Sequence, residues 1–324
     1  MLTGYSVDDG RLVPVANPLD QPDRVVWFDL FAPSREEELA IERTVGIEVP
    51  TRDEMQEIED SSRLYSEKGA FFMTANLPAQ VDTDAPVLAP VTFILSGQWL
   101  VTLRYHEPRS FRTFSARAER TDLGCSDGAT AMIGLIEVVV DRLADILERI
   151  GRDIELLSRT IFRRAPEAGK GSGTDYQRVL QGLGKQGDLV ANVLDSLVTL
   201  ERLIVFLTAA VNQRPLSKDG KVRIKSLGRD TRFLNEHANA LAAKLTFLLD
   251  ATLGMISIEQ NAIIKIFSVA AVIFLPPTLV ASIYGMNFDV MPELHWLAGY
   301  PFALGLMVAS AVVSYWLFKS RGWL

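Results

Sequence analysis

Residues 266–284 read Ile266-Phe267-Ser268-Val269-Ala270-Ala271-Val272-Ile273-Phe274-Leu275-Pro276-Pro277-Thr278-Leu279-Val280-Ala281-Ser282-Ile283-Tyr284, 19 residues without a charged side chain. About 20 apolar residues in a helix cross the hydrocarbon core of a bilayer, so this stretch is long enough to span it. A second uncharged stretch, residues 296–318, runs for 23 residues. The 11-residue connection between them, residues 285–295, carries Asp289 and Glu293 but no Lys or Arg. The tail at 319–324 carries Lys319 and Arg321. Basic segments stay on the cytoplasmic side, which puts the tail inside and the acidic connection outside. Two spans bring the N-terminus back inside as well. Asp289 and Glu293 have two readings, as charges that gather cations at the outer mouth or as solvated loop residues.

Upstream of the first span, from residue 221 or so, nothing forces a helix to stop before the Pro276-Pro277 pair. A continuous helix to Tyr284 would be about 90 Å long, far more than a bilayer requires. Residues 221–265 are therefore expected to form a stalk that continues into the span at 266–284. The proline pair removes two backbone donors and is expected to kink or loosen the helix. Lys265 lies where a side chain can snorkel to the interface.

Steps of four and three back from Ser282 give Thr278, Leu275, Ala271, Ser268, Ile264, Asn261, Ser257, Gly254 and Asp250. This seam holds most of the small and polar residues of a helix otherwise built of Ile, Val, Leu and Phe. A 3.5-residue repeat keeps such a seam on one line when helices supercoil. The pattern alone fits two readings. Small residues let membrane helices pack closely. Alternatively, several copies in a ring line an aqueous path with hydroxyls and amides. In that path Ile264 and Leu275 form apolar rings that close it by dewetting, and Phe267 beside the seam narrows it. Asp250 and Asn261 add oxygen rings towards the cytosolic end and are candidate metal contacts. Two spans cannot enclose a path alone, so transport requires a homo-oligomer.

The N-terminal part reads as α/β. Arg24–Leu30, Arg63–Glu67, Ala70–Ala75, Val91–Leu95 and Trp99–Leu103 are strand candidates, with turns at Gly69 and at Ser96-Gly97-Gln98. Ser34 and Glu37 have the spacing of a capping box at a helix start. The fold class expected for residues 1–128 is an α/β cytoplasmic domain, a mixed sheet flanked by helices. From about residue 129 the period changes to helical: Ile133, Ile136, Val140, Leu143, Leu147, Ile150 and Ile154 recur at three and four. Residues 129–220 are expected to form a helical hairpin, broken by Gly, Pro and Lys near 164–174 and near 213–220. The opposite face at 137–155 carries Glu137, Asp141, Asp145, Glu148, Asp153 and Glu155, read as a solvated helix face or as regulatory carboxylates.

Composition removes several classes. Forty acidic residues against 33 basic ones give a net charge of −7, which offers nothing to a nucleic acid. Cys125, alone, excludes an internal disulfide, and His106, His237 and His295 are too scattered for a zinc site within one chain. The start of the chain lacks a basic segment followed by an apolar run, so no signal peptide is expected. No Walker-type loop, His-Glu-x-x-His or nucleophile elbow occurs, which argues against an enzyme and against pumping by ATP hydrolysis. No cofactor is expected.

Ile258-Glu259-Gln260-Asn261, then Phe274 to Ser282, then Tyr284-Gly285-Met286-Asn287-Phe288, then Met291-Pro292-Glu293-Leu294 together resemble the CorA family of magnesium channels. Within it they are most similar to the proteobacterial branch. The resemblance is specific over residues 245–324; further upstream it is one of layout. It implies a homopentamer in the bacterial inner membrane, with both termini cytoplasmic, the first span lining the path and the second outside it. It also implies that Gly285, Met286 and Asn287 form the selectivity filter, and that intracellular Mg2+ closes the channel through carboxylates not assignable here. The chemistry of Asn287 suits that role. Magnesium holds its water tightly, and a neutral amide carbonyl hydrogen-bonds the hydrated ion without trapping it. Gly285 is expected to supply the free backbone of a sharp exit from the helix. The expected cargo is Mg2+, with Co2+ and Ni2+ as secondary ions. Two alternatives stand: a zinc or cobalt transporter on the same fold, and a membrane-anchored, non-conducting sensor or scaffold. Met286 favours the magnesium branch, since the zinc-transporting relatives tend to carry Ile there.

Overall fold

The computed structural model describes residues 1–83, 85–163, 173–212, 217–287 and 291–321. The chain divides into two units. The first holds Met1–Phe162 and Gln177–Leu249, and the second is chiefly Asp250–Leu324.

Seven strands form one sheet in the first unit: β1 (Leu2–Asp8), β2 (Arg11–Val15), β3 (Val25–Phe31), β4 (Leu64–Glu67), β5 (Ala70–Ala79), β6 (Val87–Ser96) and β7 (Trp99–Arg104). Their order is β2-β1-β3-β7-β6-β5-β4, and β3 with β7 is the parallel pair in an otherwise antiparallel sheet. The sheet is therefore mixed, as the strand pattern predicts. Both of its faces are covered. Trp27, Phe93 and Leu100 face one hydrophobic cluster, while their neighbours Phe28, Ile94 and Val101 face the other. Burial on both faces is why the central strands read as unbroken apolar runs. β1 and β2 were not foreseen, since they are half-exposed and carry Ser6, Asp8 and Arg11 among their apolar residues.

The turns obey their chemistry. Lys68 and Gly69 both have positive φ between β4 and β5, and Gly97 has φ 54° between β6 and β7. Ser34 and Glu37 form the expected capping box on α1 (Arg35–Val45), and Thr51 with Glu54 forms a second on α2 (Arg52–Gln56). Helices α1 and α2 put Ile41, Val45 and Met55 on one face of the sheet. A short helix, α3 (Asp60–Arg63), precedes β4.

The other face takes α4 (Arg109–Ala118) and the long helices α5 (Gly128–Arg163), α6 (Gly173–Asn212) and the first part of α7 (Lys218–Tyr284). Ile224, Leu227, Ala238, Leu241, Leu245 and Leu248 of α7 belong to this core. The segment expected to be a stalk thus begins as a core helix. In the centre of the sheet the guanidinium of Arg104 donates to the carboxylate of Asp29 at 2.8 and 3.1 Å. Thr102 adds a hydroxyl donor to Asp29 at 2.7 Å, and the Arg104 plane lies over the rings of Phe31 and Phe111. Every partner this buried charge pair needs comes from the same unit.

The second unit contains α7 from Asp250 onward, a 3-10 turn at Pro292–His295 and α8 (Gly299–Ser320). α7 continues as one helix through Pro276 and Pro277. The prolines leave the carbonyls of Val272 and Ile273 without intrahelical donors, and the next carbonyl, of Phe274, accepts from the Thr278 hydroxyl at 2.7 Å. α8 starts three residues later than the uncharged stretch, because Trp296–Ala298 form the turn that enters it.

Candidate functional site

α7 and α8 are each long and apolar enough to cross a membrane, and only 6% of either apolar stretch is buried within the chain. Core helices of the first unit bury theirs on the sheet. Here the apolar side chains lack cover from their own chain.

The seam lies along the exposed length of α7. Asp250, Gly254, Ser257, Asn261, Ser268, Ala271, Thr278 and Ser282 are all exposed. So are its apolar members, Ile264 at 61% and Leu275 at 65%, and the neighbouring Phe267 at 71%. The backbone thus places every seam candidate on one continuous helix, at positions left open. Asp250 and Asn261 are 11 residues apart, about 16 Å along the axis, so one chain offers a given ion one of them at a time. Among the described residues no group of three or more His, Cys, Asp or Glu side chains is placed to hold a metal ion.

The Thr278 hydroxyl is oriented by its own helix. It donates to the Phe274 carbonyl at 2.7 Å, which leaves the hydroxyl oxygen to serve as an acceptor. That polarity suits a hydrated cation, whose water donates.

Gly285 follows the last residue of α7. Its N–H donates to the Ala281 carbonyl at 2.9 Å, and the Met286 N–H donates to Ile283 at 3.2 Å. Gly285 follows the helix with a φ outside the left-handed region. The reason for glycine is close approach. A Cβ there would lie 3.1 Å from the Ala281 carbonyl oxygen. Met286 and Asn287 follow, both exposed. Asp289 lies outside the described residues, as do the side chain of Glu293 and the tail beyond Arg321.

The acidic face of α5 is largely paired within its own unit. Glu137 accepts from Arg223 at 2.7 and 2.8 Å, Asp153 from Gln186, and Glu155 from Lys244 and Arg159. Glu148 lies 3.8 Å from Arg152. Asp141 and Asp145 remain exposed on the same helix. Solvated and paired charge accounts for most of this face.

The sequence matches the family model described as CorA-like Mg2+ transporter protein over residues 22–320. It is 36% identical to the magnesium transport protein CorA of Pasteurella multocida over 325 residues, the match covering 100% of both chains. It is 34% identical to the protein of the same name from Escherichia coli K12, again with 100% coverage of each. Among solved structures, the CorA magnesium transporter of Methanocaldococcus jannaschii superposes with a TM-score of 0.77 at 18% identity, covering 100% of this chain and 99% of that one. The full-length CmaX protein follows with a TM-score of 0.72 at 15% identity, covering 98% and 96%. At these identities the structures speak for the fold: an α/β unit, a long helix and two apolar helices.

Proposed function

We propose that this chain, which belongs to the CorA-like Mg2+ transporter family, a family of ion transporters and not of enzymes, conducts Mg2+ into the cytosol as a homopentameric channel. One observation carries the reading: most of the exposed polar and small residues of α7 beyond residue 249 fall on one seam that leads to Gly285-Met286-Asn287. Five such seams around an axis surround a path one hydrated ion wide. The ion meets Asn287 first, whose carbonyl accepts hydrogen bonds from its water shell, while Gly285 and Met286 hold the turn that presents the amide. Thr278, Ser282 and Ser268 continue the same chemistry inward, with Asn261, Ser257 and Asp250 beyond. The carboxylate of Asp250 is the one full charge among them and comes last, where an arriving cation is drawn out of the filter.

Leu275 and Ile264 interrupt the polar seam, and Phe267 stands beside it. A ring of such side chains, brought close, expels water and halts a hydrated ion without touching it. Opening needs only a small widening at these positions. The membrane potential supplies the drive, about 2.3 kcal/mol per elementary charge for each 100 mV, hence about twice that for a divalent cation. Both termini then lie in the cytoplasm, the connection after Asn287 lies outside, and the host bilayer is the bacterial inner membrane. Co2+ and Ni2+ form hydrated octahedra of similar size and follow the same path. Regulation by intracellular Mg2+ rests on the family resemblance.

The test is Mg2+ uptake by proteoliposomes under an inside-negative potential. Wild type takes up Mg2+, and Asn287→Ala abolishes most of the uptake while the oligomer stays intact. Zn2+ uptake with no Mg2+ uptake would favour the zinc-transporting alternative. A well-folded wild-type oligomer that passes neither Mg2+, Co2+ nor Zn2+ would leave the seam as packing in a sensor or scaffold.

A further inference from the structure

Asp82 follows β5, in the connection to β6, and three guanidinium groups converge on its carboxylate. Arg109 lies 3.4 Å away and Arg142 3.2 Å away; Arg149 also donates to Asp82 and reaches the Val81 carbonyl at 3.2 Å. Arg142 and Arg149 are seven residues apart on α5 and so share a face. Although partial burial works against it, Arg149, with Arg142 and Arg109, holds the Asp82 carboxyl below the usual carboxylate range. Arg109 and Arg112 occupy the first turn of α4. That turn has no acidic residue, and its N-cap, Pro108, supplies no side-chain acceptor. Cations at the positive end of a helix dipole are disfavoured, so two arginines there run against the local rule. Places where a sequence breaks a local rule are where function is expected. Arg109, Arg112 and Arg142 line an open cavity of about 240 Å³, with Asp82 and Glu107 as its carboxylates.

One carboxylate does not use up this donor set. Each guanidinium has five N–H donors in a rigid fork. Arg112 is exposed and makes no ion pair among the described residues. We propose that this cavity is a binding site for a phosphate-bearing anion, with Asp82 holding the arginines in position until the ligand arrives. Guanidinium forks match phosphoryl oxygens two at a time, and the positive end of the α4 dipole, where Arg109 and Arg112 line the cavity, favours an anion there. The cavity is smaller than the range typical of drug-sized ligands, so it accepts one or a few linked phosphoryl groups. A nucleotide enters with its phosphates and leaves its base outside. The bound anion adds a further tie between the turn after β5, α4 and α5, which Asp82 already bridges.

The experiment uses the full-length protein in detergent and divalent-free buffer, so that chelation of Mg2+ plays no part. Binding of pyrophosphate, ATP and citrate is followed by calorimetry and by the unfolding temperature, with EDTA as a phosphate-free chelating control. Pyrophosphate and ATP are expected to bind saturably and to raise the unfolding temperature. Arg112→Ala, at an exposed position that leaves the fold intact, is expected to weaken pyrophosphate at least about tenfold, the cost of one charge-assisted contact. Arg112→Lys is expected to recover part of the loss. ATP binding more tightly than pyrophosphate would identify a nucleotide as the source; equal binding would identify the phosphate chain itself. Citrate or EDTA matching pyrophosphate would overturn the proposal in favour of an unselective basic patch. Equal pyrophosphate affinity in wild type, Arg109→Ala and Arg112→Ala, or no binding at millimolar concentration, would overturn it too.

Discussion

The sheet of the first unit and the apolar helices of the second solve opposite problems with similar residues. Around β3 and β7, Trp27, Phe28, Leu30, Leu100, Val101 and Leu103 are buried by helices of the same chain, and the one charged pair among them is satisfied on the spot. Along α7 beyond Asp250, Ile, Leu and Phe of the same kind stay open, and most of the exposed polar residues among them are gathered on one line. Buried apolar area stabilises only where something covers it. The first unit brings its own cover. The second takes lipid for its apolar faces and, in the proposed pentamer, its own copies for the seam. Errors in the first unit therefore cost folding, and errors in the second cost conduction.

The comparison breaks most visibly at Arg104. Arg104→Met leaves Asp29 charged, buried and short of its main partner, and is expected to cost about 3–5 kcal/mol. Unfolding of the detergent-solubilised protein, followed through buried Trp27, measures it. Adding Asp29→Leu to the same chain is expected to restore much of the loss. A double variant no more stable than the single one would mean that the pair does more than satisfy itself.

The opposite side is sharpened at Leu275. Leu275→Ser replaces an apolar ring of the seam with hydroxyls and is expected to raise Mg2+ leak several-fold at high internal Mg2+, where the channel should be closed. The unfolding transition of the first unit should not move. A shift in that transition, or an unchanged leak, would separate Leu275 from the gate.

A smaller effect comes from His106. Its Nε2 lies 2.9 Å from the Leu77 carbonyl and its Nδ1 is buried with no partner. Burial first, and the charge of Arg104 as well, hold its pKa below the ordinary 6.5, against the Leu77 hydrogen bond. The unfolded chain then binds the extra proton as pH falls below about 6.5, while the folded chain resists it. Stability is accordingly full above that pH and declines below it. His106→Gln, which can still donate to Leu77, should flatten this part of the pH profile in a series of unfolding curves; an unchanged slope would assign the loss to other groups.

What could be read from the sequence follows the same division. The spans and the seam are local patterns: the seam and the first span lie on α7, Gly285–Asn287 follow its last residue, and the second span is α8. The buried strands could be read because both faces are apolar, and the Ser34 capping box because its partners are three residues apart. β1 and β2 could not, since their pairing with β3 and with each other compensates for a mixed composition. Contacts that depend on folding were hidden too. Asp29 and Arg104 are 75 residues apart, and Asp82 lies 60 and 67 residues from Arg142 and Arg149. The seven-residue spacing of those two arginines was the one available hint. At Gly285 the sequence points to a free backbone at the helix exit; the close approach of the Ala281 carbonyl, 3.1 Å from where a Cβ would lie, depends on the fold.

The central claim is that the seam of α7 faces water and the opposite side does not. Cys125 is the chain's one cysteine; it is 2% exposed, and burial, its main perturbation, pushes its thiol up to about 11. It should therefore stay silent towards thiol reagents near neutral pH. Cysteines introduced singly can then be read without background. The decisive measurement is the rate at which a charged methanethiosulfonate reagent modifies Ser268→Cys and Ser282→Cys on the seam, against Ile273→Cys and Val280→Cys on the far side, in Mg2+-free proteoliposomes. Rapid modification of the first pair, with loss of Mg2+ uptake, and protection of the second is the predicted result. Modification of Ile273→Cys and Val280→Cys with both seam positions protected would contradict it.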